Sequence, residues 1–316
     1  MKSFIVNEND SGQRLDKFLS KAAPAIPTSI MYKAIRTKNI KINRKRAEIS
    51  TRLNKGDVVE VYLNDSFFPD QESPLLFLSA STNIDIIYED ENILLVDKPV
   101  GLVVHEDESN SPDTLINRIL HYLYVNGNYH PNEENSFVPA LCNRIDRNTS
   151  GIVICAKTAA ALRILNEKIK AREITKKYKA LVFGQPVPKH KICTAYLTKD
   201  TNKKQVTVTS KPSKDSLKIV TEYSLLETTG RFSLIEVNLH TGRTHQIRAH
   251  MAFLGYPLVG DTKYGTAKQN CGLPYRFQAL CAYALTFSFT TDAECLNYLK
   301  DQTFIAKKIP FSLSAL

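Results

Sequence analysis

No stretch of this chain approaches 18 uncharged apolar residues, so a transmembrane helix is not expected. The first residues, MKSFIVNENDSGQRLDKFL, lack the apolar core of a secretory signal, and a cytoplasmic protein is expected instead. The cysteines, at 142, 155, 193, 271, 281 and 295, include no C-x-x-C pair. That argues against a zinc ribbon and a disulfide framework, and for reduced, mostly buried thiols. Cys142 invites a nucleophile reading, but no base-like pattern accompanies it. Acidic residues are also in deficit: 32 Asp and Glu stand against 42 Lys and Arg, a net charge of +10 over 316 residues. Such a balance favours a polyanionic partner.

The positive charge is concentrated. Residues 1–63 hold 13 Lys and Arg against 6 Asp and Glu, so +7 of the +10 lies in the first fifth of the chain. That is the footprint of a small nucleic-acid-binding module joined to a larger domain. Within it, Leu15, Phe18, Leu19 and Ala22 recur at helical spacing before Pro24. A second helix follows Thr28 or Ser29, with Ile30, Met31, Ala34 and Ile35 as its apolar stripe. The runs IKIN and LNKGDVVEVYL read as strands. Residues 64–83 contain two prolines and no periodicity, and read as a linker whose PLLFL packs on the following domain. Residues 84–316 form that domain. IDIIYEDENILLVDKP predicts two strands, with GLVVH continuing the edge. DTLINRILHYLYV predicts a helix, residues 126–136 a polar loop, GIVICAKT a buried strand, AAALRILNEKIKAR a helix and KKYKALVFG a strand. Lysine-rich strands fill 189–222, and RFSLIEVNLHTG leads into a helix at THQIRAHMAFLG. Strands and helices do not alternate as in a doubly wound fold, so the expected class is α+β with a large antiparallel or mixed sheet.

The chemistry gathers at NRIDRNTSG, residues 143–151, where Asp146 stands between Arg144 and Arg147. A surface charge cluster is the plain reading. The sharper one is a carboxylate held ready for an anionic substrate. His240, His245 and His250 fall within eleven residues, but at spacings of five, without the i, i+4 pattern or accompanying carboxylate of a zinc site. No metal is expected.

NRIDRNTSGIVICAKT, KKYKALVFG and HTGRTHQIRAHMAFLGYPLVGDTKYG resemble the RluA family of RNA pseudouridine synthases, as does ILLVDKPVGLVVH. GQRLDKFLSKAAPAIPTSIMYKAIRTKNIKIN with LNKGDVVEVYL resembles the S4-type RNA-binding domain that many members carry in front. The resemblance spans nearly the whole chain in the family's order. It implies isomerisation of selected uridines in structured RNA: the N1–C1′ bond breaks, the base turns, and a C5–C1′ bond forms, without metal or organic cofactor. It implies that Asp146 is the catalytic residue, whether by attack on sugar or base or by removing a sugar proton. Arg248 is its paired arginine, since an ionised carboxylate away from water needs a cation and an Asp–Arg bond is charge-assisted. Tyr178 is the active-site tyrosine, which stacks on the extruded uracil or else fills the core. Arg144 fills the stack that the flipped uridine leaves, or contacts phosphate. Lys98 contacts RNA or braces the catalytic loop. Arg147, Arg243 and Gln246, with Arg14, Lys33, Arg36 and Lys41 of the module, complete the implied RNA contacts.

The chain departs from the family pattern in places, among them Ile145 where the H-R-L-D motif has leucine. Asn143 stands where histidine opens the H-R-L-D motif, which puts in doubt any proton-carrying role there. Lys38-Asn39 stands where glycine is frequent, and Asn39 is expected to take the left-handed turn. The expected substrate is ribosomal RNA of the large subunit, with transfer RNA as the alternative. A catalytically silent RNA-binding or ribosome-assembly factor is the competing class, and intact Asp146, Tyr178 and Arg248 argue against it. The default is a monomer with no membrane contact and no obligate protein partner.

Overall fold

The computed structural model describes residues 1–68, 75–106, 111–200 and 205–316. The N-terminal unit comprises β1 (Lys2–Ile5), α1 (Leu15–Ala22), α2 (Thr28–Arg36), β2 (Ile40–Ile42), β3 (Lys45–Arg46) and β4 (Val58–Val61). Its strands form an antiparallel sheet in the order β1-β4-β2-β3. The apolar stripes predicted from helical spacing do the packing: Leu15, Phe18 and Leu19 of α1 and Met31, Ala34 and Ile35 of α2 close over Ile40, Val59 and Val61. After α2 the left-handed residue is Lys38, at φ 65°, and not the expected Asn39. Asn39 instead returns its amide to Ala34 O at 2.8 Å, which closes the helix.

Two short 3-10 turns, Asp65–Phe67 and Leu76–Ser79, follow. Phe67 and Phe68 pack on the N-terminal core. Phe77 is buried, its ring 5.8 Å from that of Tyr124 and 6.2 Å from that of Tyr129.

The larger unit runs β5 (Ile86–Glu89), β6 (Ile93–Lys98), α3 (Leu115–Val125), β7 (Ala140–Leu141), β8 (Ser150–Ala156), α4 (Ala159–Lys170), β9 (Ile174–Phe183), β10 (His190–Asp200) and β11 (Gln205–Thr209). It continues through β12 (Leu217–Thr229), β13 (Phe232–Leu239), α5 (Gln246–Phe253), α6 (Ala267–Asn270), β14 (Leu280–Phe287) and β15 (Thr303–Ile305). One sheet takes the order β11-β10-β12-β13-β9-β14-β8-β6-β5, with β15 on β14 and β7 on β8. Its pairs are antiparallel except β14 with β8, which is parallel. The α+β class with a mixed sheet is the one read from the sequence.

The β6 run ILLVDK is apolar on both faces because both are covered. Ile93 and Leu95 join Ile152, Ile154 and the α4 residues Ala161, Ile164 and Leu165. Leu94 and Val96 meet Val153, Cys155 and the α3 residues Leu115, Ile119 and Leu123 on the other face. Farther along, Tyr178, Ala180, Ile235 and Val237 carry Ile247 and Met251 of α5. GLVVH does not continue the edge: the carbonyls of Val103 and Val104 accept the amides of Leu115 and Ile116, which α3 cannot satisfy internally. Among the described residues no helix is long and apolar enough to cross a membrane.

Candidate active site

Asp146 lies on the loop between β7 and β8, and that loop is pinned at both ends. Asn143 is buried. Its Oδ1 accepts the Ile154 amide at 2.8 Å and its Nδ2 donates to Ile152 O at 3.3 Å, so the side chain acts as a strand partner to β8. At the far end the Thr149 amide donates to Asp146 O at 3.0 Å. Gly151 then has φ +111°, and a Cβ there would fall 2.2 Å from Ala282 O. Only glycine lets β8 approach β14 so closely. Ala282 faces Gly151 on one side and Tyr178 of β9 on the other. This register brings the Asp146 loop beside Tyr178.

Lys98 corrects one expectation. It is fully buried. Its Nζ donates to Pro99 O and Leu102 O at 2.7 Å and to Arg147 O at 2.8 Å. It braces the loop that carries Asp146 and has no surface to offer RNA. Burial pushes the ammonium down to about 7, with the charge of Asp146 opposing. Gln246 is a second correction. Only 2% exposed, it accepts from Thr241 Oγ1 at 2.8 Å and the Arg243 amide at 3.1 Å. It donates to Val220 O and Thr221 Oγ1, and so shapes the turn into α5 rather than reaching a ligand.

The Asp146 carboxylate meets Arg248, whose Nη1 donates to Oδ2 at 3.1 Å. Arg248 is itself held from behind by Asp261, a residue the sequence reading passed over: Nε and Nη2 form a fork on the two Asp261 oxygens at 2.6 and 3.0 Å. Asp261 is 1% exposed and also accepts the amides of Lys263 and Tyr264. Burial works against the Arg248 charge, but the bonds to Asp261, and then to Asp146, outweigh it and raise its pKa. The Tyr264 ring lies 5.3 Å from the guanidinium. His245, left-handed at φ 52° and the first residue before α5, places Nδ1 2.8 Å from Tyr264 Oη and Nε2 3.8 Å from Asp146 Oδ2. Burial lowers its pKa, with Asp146 acting in the opposite sense. Tyr178 is buried, and burial, then the nearby Asp146 charge, raises its phenol far above the usual range, which keeps it neutral.

Asp146, Tyr178, His245 and Arg248 line a cleft of about 940 Å³ whose walls also carry Arg144, Arg147, Arg172, Lys176 and Arg243. Burial, then the neighbouring Arg172, lowers the Lys176 pKa. Cys142 also faces the cleft, and burial pushes its thiol up to about 12, far from a reactive thiolate. The three histidines part company: His240 bonds Glu222 at 2.8 Å, His245 faces Asp146, and His250 bonds Thr221 at 2.9 Å. Among the described residues no three His, Cys, Asp or Glu side chains group as metal ligands. In the N-terminal unit Lys33 and Arg36 are exposed on α2. Arg14 forks onto Asp16 at 3.0 Å, and Lys41 lies over the Tyr62 ring at 5.2 Å.

Residues 92–253 match the RNA pseudouridylate synthase family, and residues 13–59 match the S4 domain. The chain is 39% identical to an uncharacterized RNA pseudouridine synthase of Mycoplasma genitalium, over 90% of this chain and 88% of that one. It is 32% identical to the ribosomal large subunit pseudouridine synthase D of Borreliella burgdorferi, over 84% of this chain and 78% of that one. Human RNA pseudouridylate synthase domain containing 4 shares the fold, with a TM-score of 0.55 and 21% identity over 72% of this chain and 88% of that one. The chain therefore belongs to the RNA pseudouridylate synthase family and carries an S4 domain in front of the synthase domain.

Proposed function

We propose that this enzyme converts uridines of large-subunit ribosomal RNA to pseudouridine, with Asp146 as its catalytic carboxylate. The observation that carries the reading is the chain of bonds that runs from Asp146, in a cationic cleft, through Arg248 to Asp261 buried behind it. Arg248 fixes one oxygen of Asp146 through a charge-assisted hydrogen bond, while Asp261 holds the cation in place. Large-subunit RNA is supported by relatives such as the ribosomal large subunit synthases D of Borreliella burgdorferi and C of Vibrio cholerae, at 32% and 33% identity.

In this mechanism the target uridine leaves the helix, at a cost of a few kcal/mol, and enters the cleft. The neutral Tyr178 ring stacks on the base, and Arg144 occupies the vacated stack. Arg147 and Arg243 take flanking phosphates. Asp146 then acts at the ribose or base while the N1–C1′ bond breaks; C5 joins C1′, the C5 proton leaves, and N1 takes one up. Residues 1–63, with Arg14, Lys33, Arg36 and Lys41, anchor the RNA, 64–83 link, and 84–316 catalyse. The near-isosteric Asp146→Asn isolates the charge. Release of tritium from uridine C5 should fall by at least ~10³-fold, in the range of an essential acid–base or nucleophilic group, with RNA affinity kept. Activity within tenfold of the parent refutes the assignment. Pseudouridine mapping in ribosomal RNA of a deletion strain tests the substrate.

A further inference from the structure

The polar segment after α3 has no part in the cleft, yet it is built into a specific contact. Asp10, in the loop between β1 and α1, is fully buried. Its Oδ1 accepts from Ser136 Oγ at 2.5 Å, and its Oδ2 accepts from Asn135 Nδ2 at 2.7 Å and from the Asn7 amide at 3.2 Å. Two of its three donors therefore come from the catalytic unit. A second row lies beside the first. Asn7 and Asn9 donate to the two Glu134 oxygens at 3.0 and 2.6 Å, and Gln13 donates to Ser136 Oγ at 2.9 Å. Asn9 Oδ1 also accepts the Ala159 amide at 3.0 Å, in the first turn of α4.

We propose that Asn135 and Ser136, closed on Asp10, form a bracket that fixes the S4 module on the catalytic unit, so that RNA meets one rigid surface and the module sets which uridine reaches Asp146. This rests on the reading of the module as an RNA anchor. The contact is polar and directional, which fixes orientation rather than supplying apolar area. A carboxylate buried there needs both donors, and undocking would have to replace them with water. A module held in one pose removes the entropy that a tethered one loses when both units grip the same RNA. It also restricts the distance between anchor and cleft, and with it the choice of nucleotide.

The test uses the full chain with spin labels at the exposed Ser50 and Glu167, introduced through a keto amino acid so that native cysteines stay untouched. Without RNA, pulsed dipolar spectroscopy should give one narrow distance distribution for the parent. It should be broad for Asp10→Ala and for Asn135→Ala combined with Ser136→Ala; the second variant lies outside both apolar cores, which guards against misfolding. With RNA, both variants should lose roughly three- to thirtyfold in affinity through effective concentration, keep the saturated rate, and modify additional uridines. A broad distribution in the parent overturns the proposal, as do variants that stay narrow or keep the parent's site choice. The anchor reading fails separately: Lys33→Gln with Arg36→Gln would leave RNA affinity and its salt dependence unchanged.

Discussion

Asp261→Asn is the sharpest probe of how the site is held. The substitution keeps shape and one acceptor oxygen, but removes the charge behind Arg248. That arginine is 9% exposed and Asp261 is inaccessible, so the pair has little water to fall back on. Breaking a buried ion pair by removing one partner costs about 3–5 kcal/mol, and a hydrogen bond to a charged group contributes about 1.5–3 kcal/mol. Asparagine retains one of the two bonds of the fork, and Asp146 still offers Arg248 a carboxylate. The expected loss of stability is therefore near the lower bound, about 3 kcal/mol. The second consequence is chemical. Arg248, freed from behind, settles on Asp146 and competes with substrate for it, so the single-turnover rate should fall roughly 10- to 100-fold, about 1.4–2.7 kcal/mol of barrier. Urea unfolding and single-turnover isomerisation on the same preparations measure both. A loss below about 1 kcal/mol with parental turnover would mean that Asp261 neither supports Arg248 nor tunes Asp146.

Three further outcomes follow from the packing. Lys98→Met fills the same space but strands the carbonyls of Pro99 and Leu102, while Arg147 O keeps the Gly101 amide, and should cost about 2–4 kcal/mol and lower turnover without weakening RNA binding; weakened binding at parental turnover would return Lys98 to the RNA surface. Gly151→Ala combines a Cβ 2.2 Å from Ala282 O with φ +111°, and should cost about 3–5 kcal/mol and misplace the Asp146 loop, a result that thermal unfolding and turnover would contradict if both stayed parental. Burial pushes His250 down to about 4 from its ordinary 6.5, so the unfolded chain binds more protons between those values. Its contribution, up to about 3 kcal/mol, is complete above pH 6.5 and is lost as pH falls through about 4. The slope of stability against pH in that window should flatten in His250→Asn, and an unchanged slope removes His250 as its source.

The segments that carry Asp146, Arg248 and Tyr178 stand out in the sequence because the residue types of each are tied to one chemistry, and the fold brings the three residues together in one cleft. The doubly apolar runs of β6 and β8 were legible because a strand covered on both faces loses its polar alternation. Burial was not legible. Lys98 and Gln246 carry the side chains of RNA contacts and stand in motif segments, yet Lys98 is held by three backbone carbonyls and Gln246 by two backbone groups and two threonine hydroxyls, partners that the sequence does not bring together. Asp261 stood in a segment that drew attention for its resemblance, but its partner is thirteen residues away and meets it only after α5 turns back. Asn143 shows the reverse. Its substitution for histidine raised a question about proton transfer, and the amide answers it by bonding both ways to β8, a task that asks for a donor and an acceptor and no titration.

β14 carries no motif: its run LCAYALTF offers a thiol, a phenol and a hydroxyl in no chemical pattern, and its parallel partner lies about 130 residues away. Yet it determines the geometry of the site. Ala282 sits between Gly151 and Tyr178, and the register of β14 against β9 shifts between Ala282 and Ala284. A small side chain at 282 and none at 151 let three strands close up where the Asp146 loop emerges. The loop supplies the carboxylate, β9 supplies the ring, and α5 supplies the arginine. Their common origin is a strand-to-strand distance that only glycine permits, so the position least marked by chemistry sets how near Asp146 can stand to Tyr178.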